Sequence, residues 1–179
     1  MLIILMLLLL VLVPGCMKGA CTAHAHFVKK NKNQVELPVA VQWKKNPIIQ
    51  VCETSPVTRD EVEMVLAEWE AHGAPKLKVV NSKCEEEMPS SGYVQIDQWR
   101  PEWRSRIMGA YAVAIAWPQI PEAGLIMVPN GNMAVLRHEI GHIWLHGHAN
   151  KPGHVICPYV DCIGDDWEGV KRAFRRGGY

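Results

Sequence analysis

His138 and His142 stand four residues apart in the run Arg137-His138-Glu139-Ile140-Gly141-His142-Ile143-Trp144-Leu145-His146-Gly147-His148. On an α-helix that spacing sends both imidazoles from one face, about a turn apart. Two such rings can reach one Zn²⁺ at roughly 2.0–2.1 Å each. Glu139 leaves the helix beside that face, placed to touch a water on the metal without being a ligand. The chemistry open to this trio is hydrolysis: zinc acidifies a water, and the carboxylate takes its proton and later returns it. Gly141 has no side chain and leaves room for a neighbouring backbone to approach the helix.

A catalytic zinc takes three protein ligands and keeps one position open. His146 is the nearest further candidate, but on a continued helix it would sit about 12 Å along the axis from His138, at ~1.5 Å per residue. Three rings spread over that length cannot share one ion, so the helix must break after His142 and the chain turn back. The spacing of His138, His142 and His148 resembles the metzincin pattern H-E-x-x-H-x-x-G-x-x-H, which makes His148 the third ligand. One position departs from the pattern. Leu145 replaces the turn glycine, where a left-handed non-glycine residue would cost roughly 1–2 kcal/mol; Gly147 offers a turn two residues later.

The elements that must position this run are legible as short segments. Ile48 to Cys52, after Asn46-Pro47, reads as a first strand. Thr58 and Glu61 form a capping box for a helix whose Val62, Val65, Leu66 and Trp69 share one stripe. Gly73 ends it and Pro75 forbids its continuation. Leu77 to Val80 and Tyr93 to Ile96 are brief strands. Ala110 to Trp117 is an unbroken apolar run halted by Pro118 and Pro121, and Gly124 to Val128 is a further strand stopped by Pro129-Asn130-Gly131. Asn132 caps a helix that begins at about Met133. Asp165 or Asp166 caps a last amphipathic helix carrying Trp167, Val170 and Phe174, closed by Gly177.

That order resembles the metzincin catalytic domain, and is most similar to the matrixins, the matrix metalloproteinase type, over roughly residues 45 to 176. Gly109-Ala110-Tyr111-Ala112 through Trp117-Pro118 looks like their fourth strand and the bulge after it, and Gly124 to Val128 like their fifth. His148-Ala149-Asn150 through Val155-Ile156-Cys157-Pro158-Tyr159 looks like the run from third ligand to Met-turn, with Ile156 where the family has methionine. The resemblance implies an α+β fold: a metzincin-like zincin with a mixed five-stranded sheet, an active-site helix and a small C-terminal subdomain ending in a helix. It implies that a peptide lies along the fourth strand as an added strand, against Tyr111, Ala112, Val113 and Ala114. Tyr159 and Val160 would wall the pocket just past the scissile bond. Ile at 156 supplies bulk similar to Met without the flexible thioether.

A chain of 179 residues with 49% hydrophobic content suits one domain with a sizeable core. Its 19 Lys and Arg against 18 Asp and Glu argue against a nucleic-acid partner. Met1 to Val13 is almost wholly apolar, too short to span a bilayer as a mature helix and suited to an export signal. Val13-Pro14-Gly15-Cys16 resembles a bacterial lipobox, with Cys16 lipidated; cleavage after Ala25 is the competing reading. The chain therefore divides into an export signal of lipoprotein type at 1–15, a polar tether at 16–38 and a catalytic domain at 39–179. The cysteines fit an oxidising compartment. Cys157 and Cys162 bracket a short loop and form a natural local disulfide; Cys52 would then pair with Cys84, although four cysteines allow three connectivities. Cys21 is left over.

The expected protein is thus an exported zinc endopeptidase with Glu139 as catalytic base, one Zn²⁺ on His138, His142 and His148, and a protein or peptide substrate. It is expected to be monomeric, to touch membrane only through the lipid anchor, and to give no sign for or against calcium. Two alternatives stand beside it. H-E-x-G-H-x-x-L-H also looks like the ImmA/IrrE group, whose third ligand is a later Glu, here Glu168. The other is a surface zinc-binding module that has lost catalysis through Leu145 and Ile156.

Overall fold

The computed structural model describes residues 35, 37, 39, 40, 42–84, 89–98, 123–145 and 147–179. The export signal, Cys16, Cys21, His146 and the expected strand at 110–117, with Tyr111, Ala112, Val113 and Ala114, lie outside the described residues.

The expected first strand forms as β1 (Ile48–Cys52). Helix α1 (Arg59–Ala71) starts at the Thr58 capping box, where the Thr58 side chain accepts from Glu61 N and the Glu61 carboxylate accepts from Thr58 N at 2.7 Å. Its Val62, Val65, Leu66 and Trp69 are buried as one stripe. Gly73, at φ +102°, ends it in the left-handed region that glycine enters without a Cβ penalty. Strands β2 (Lys78–Ser82), β3 (Tyr93–Asp97) and β4 (Ala123–Met127) follow.

Among the described residues the sheet has four strands in the order β2-β1-β3-β4, every neighbouring pair parallel. The described residues are therefore α+β with a four-stranded parallel sheet rather than a mixed one, and the further strand expected at 110–117 lies outside them. Parallel neighbours need crossover connections rather than hairpins, and α1 supplies the one from β1 to β2. Because side chains alternate across a strand, Ile49, Val51, Val79, Val94, Ile96 and Ile126 join one core with the buried stripe of α1.

Helix α2 (Met133–Gly141) closes that core with Leu136 and Ile140. Asn132 caps it as expected, its Oδ1 accepting from Ala134 N at 3.0 Å and Val135 N at 3.2 Å. Asn130 (φ 54°) and Gly131 (φ 66°) turn the chain into the helix. A Cβ on Gly131 would lie 2.9 Å from the Pro56 carbonyl oxygen, so the residue must stay small as well as left-handed.

The C-terminal part is a long loop followed by α3 (Val170–Gly177). Both expected disulfides are present, Cys52–Cys84 and Cys157–Cys162. They fit an oxidising, extracellular setting, and no helix among the described residues is long and apolar enough to cross a membrane.

Two details of the last helix depart from expectation. Neither aspartate caps it: its N-cap is Gly169 at φ 85°, and Asp166 Oδ1 instead accepts from Glu168 N at 2.9 Å in the preceding turn. Trp167 lies ahead of the helix, stacked on His72 with ring centroids 4.1 Å apart and edge-on to Trp69. A packed aromatic cluster outcompetes a regular first turn here.

The packed body also takes in part of the 16–38 stretch. Leu37 is 1% exposed within the core, the Arg172 and Arg176 guanidinium groups donate to the Val35 and Leu37 carbonyls, and Ala40 N donates to Ala173 O. Trp43 then donates its indole N–H to the Ile143 carbonyl at 2.7 Å, tying this N-terminal segment to the turn that follows α2.

Candidate metal centre

Helix α2 carries His138 near its end and yields to a tight turn at His142. Its hydrogen bonds shorten there from His142 N to Glu139 O, Ile143 N to Ile140 O and Trp144 N to Gly141 O, and Leu145 N returns to Gly141 O at 2.9 Å. The break expected after His142 is thus built from tightened helical turns. Leu145 has no left-handed backbone, since Asn130 is the only non-glycine with positive φ among the described residues. The strain expected of it is therefore not incurred. Leu145 is fully buried, and with no positive φ to adopt at this position a glycine is dispensable.

The return brings His148 to the other two. Nε2 of His142 lies 3.1 Å from Nε2 of His138 and 3.1 Å from Nε2 of His148. The three ligand atoms all fall within 4.8 Å of one another. Three nitrogens on one tetrahedral ion at roughly 2.0–2.1 Å would lie about 3.4 Å apart. The three histidines therefore form a group able to hold a metal ion.

The tautomers follow from the partners. His138 Nδ1 lies 3.2 Å from the Val155 carbonyl and His142 Nδ1 lies 2.7 Å from the Leu145 carbonyl. A carbonyl only accepts, so both Nδ1 atoms carry hydrogen, and in the neutral ring each Nε2 is left with a lone pair. Two lone pairs at 3.1 Å cannot hydrogen-bond to each other; a cation between them relieves the repulsion. Burial, aided by the neighbouring His142 and His148, pushes the His138 pKa down to about 2, which keeps its ring neutral. Such a donor set could hold a metal ion, with two of its rings oriented by backbone carbonyls.

Glu139 is buried, with Oε1 3.8 Å from His138 Nε2. It stands beside the convergent nitrogens, outside the group of ligand atoms, as a base for a water there would. Glu168 is placed elsewhere: Oε2 pairs with the Lys151 ammonium at 2.8 Å and Oε1 accepts from Val35 N at 3.2 Å. Those contacts hold its pKa below the usual glutamate value. Tyr159 is 72% exposed, and Val160 begins a single 3-10 turn, Val160–Cys162.

Sequence reasoning missed the supports. Val155 O and Leu145 O act through the backbone, which leaves no mark in residue type. His154 is fully buried; its Nδ1 accepts from Ile156 N at 3.2 Å, its Nε2 donates to Glu168 O at 2.9 Å, and it fixes the loop that presents Val155 O. Arg137 spans three segments, forked onto Glu68 of α1 at 2.5 and 3.2 Å and onto Asp165 at 2.9 Å. Asp166 O in turn accepts from Val155 N at 2.9 Å, which links that clamp to the carbonyl behind His138.

Gly141 serves an indole rather than a backbone. A Cβ there would meet Trp69 Cζ2 at 2.4 Å and Ile156 Cγ2 at 3.1 Å. Trp69 is anchored by its Nε1–H to Arg137 O at 2.9 Å. Ile156, at the expected methionine position, is fully buried against α2 directly before His142.

The chain matches no known protein-family model and no curated protein.

Proposed function

We propose that this protein is an exported, zinc-dependent endopeptidase of metzincin type. The observation that carries the reading is the convergence of three imidazole Nε2 atoms, two with their tautomer set by backbone carbonyls, beside a buried carboxylate. His138, His142 and His148 would hold the ion. Zinc bound there supplies a Lewis acid and lowers the pKa of a coordinated water to about 7. Neutral, nitrogen-only donors suit zinc, whereas calcium and magnesium take oxygen ligands.

Glu139 takes the proton of the attacking water and passes it to the departing amine. Its burial beside the nitrogens keeps that proton close to the reacting atoms. Val155 O and Leu145 O hold the ligand rings in register, so they position without touching substrate. The signal-like N-terminus and the disulfides support export, and the resemblance to matrixins supports a peptide substrate bound as an extended strand. The alternative built on Glu168 as third ligand loses support, because that carboxylate is committed to Lys151 and Val35 N.

The test is metal content per chain together with digestion of a broad peptide library by the native protein and by Glu139→Gln. One zinc per chain in both, with cleavage falling about 10²–10⁴-fold in the variant, is the expected result. Equal cleavage by Glu139→Gln would end the mechanism, and bound zinc with no cleavage by either would make the protein a non-catalytic zinc module.

A further inference from the structure

Helix α3 carries Lys171, Arg172, Arg175 and Arg176, all exposed, while Val170, Ala173 and Phe174 are buried. The four cations fall at i, i+1, i+4 and i+5, so they form one continuous outer face. No acidic residue stands in the first turn to balance them. Arg175 and Arg176 at the C-terminal end are favoured by the helix dipole, but Lys171 and Arg172 occupy the first turn, where the dipole disfavours cations. Like charges four apart also repel. Helix energetics therefore do not account for this face, whereas an anionic surface outside the molecule does.

The path of the chain says which surface. Residues 16–38 contain Lys18, Lys29, Lys30 and Lys32 against a single acid, Glu36. This stretch joins the folded body at Val35 and Leu37, whose carbonyls are held by Arg172 and Arg176 of the same helix. Exposed Lys44 and Lys45 follow directly on Gln42 and Trp43, which lie against Gly178 and Tyr179 at the other end of α3. With 19 cations and 18 anions overall, the remainder of the chain has no such excess. A basic tether from an apolar N-terminus thus meets the protein along a basic helix.

We infer that the outer face of α3 docks on an anionic phospholipid surface, holding the body against the bilayer that its N-terminal segment reaches. Clustered Lys and Arg next to a membrane anchor are drawn to anionic headgroups and released by salt. The inference is independent of the metal centre.

The exported chain, its signal segment removed, is sedimented with phosphatidylcholine vesicles and with vesicles in which a third of the lipid is phosphatidylglycerol. A lipid on Cys16 contributes alike to both, so the ratio of the two partition coefficients isolates charge. The ratio should exceed about tenfold at low salt and approach one at high salt. In K171E/R175E it should fall at least about tenfold, with melting temperature and metal content unchanged. K171Q/R175Q, expected to act in the same direction, replaces that variant should the charge reversal perturb folding. A ratio insensitive to both variants but abolished in K29Q/K30Q/K32Q would give the attraction to the tether alone and overturn the assignment. Tighter binding to a single-stranded oligonucleotide than to anionic vesicles would overturn it as well.

Discussion

His142 Nδ1 lies 2.7 Å from the carbonyl oxygen of Leu145, three residues further along the chain. The residue that breaks the glycine pattern is thus the one that orients the second ligand. Its side chain is buried in the core and its carbonyl faces the ring, so packing and ligand geometry are set by one turn.

The ligand assignment has a direct check. His148→Ala should lose the metal, because two imidazoles alone leave an ion without its third protein donor. Glu168→Ala should keep it, at the cost of the Lys151 pair and the Val35 contact. Metal content after dialysis separates the two, and the opposite pattern would make Glu168 the ligand.

Gly141→Ala should destabilise the fold by about 1–3 kcal/mol or more, since overpacking costs that much and the new methyl would meet the Trp69 ring at 2.4 Å. Trp69 cannot withdraw without losing its bond to Arg137 O, the residue before the first ligand. Thermal melting and metal affinity should therefore fall together; a normal melt would show that the ring has room to move.

The metal-free protein should lose stability as pH falls below 6.5. Burial lowers the pKa of both His138 and His154 in the folded state. Below the ordinary histidine value the unfolded chain takes up protons that the native rings refuse. Stability from these groups is thus complete above 6.5 and declines as pH drops below it. Each site adds a slope of at most about 1.4 kcal/mol per pH unit. Denaturant melts of the apoprotein across this range measure it, and His154→Gln should make the slope shallower.

Arg137 ties α1, α2 and the loop before α3 together through Glu68 and Asp165. Arg137→Met keeps the stem and removes the fork. It should weaken metal binding by less than the roughly 10- to 100-fold that follows loss of a group bonded directly to a ligand, because Arg137 acts through Asp165, Asp166 and Val155. Unchanged metal affinity by competition titration would show that the Val155 carbonyl holds His138 without this clamp.

Much of this protein is local and therefore legible from residue order. The Thr58 capping box, the stripe from Val62 to Trp69, the Asn132 cap and the first strand at Ile48 to Cys52 arise from contacts within a few residues, and each forms as expected. The four-residue spacing of His138 and His142 fixes a shared helix face for the same reason. Spacing also favoured Cys157 with Cys162, and then Cys52 with Cys84, and both bonds are present.

What residue order left open depends on segments far apart in the chain. His148 meets the other two rings after a turn whose Leu145 is buried in the core and whose Ile143 carbonyl accepts from the Trp43 indole across 100 residues. The need for glycine at 141 was visible, but its cause, an indole from α1, was not. The missing cap on α3 and the exit of Trp167 from that helix reflect a competition between side-chain capping and aromatic packing, which only the assembled core resolves. Local spacing determines which atoms can meet, and tertiary packing decides which of them do.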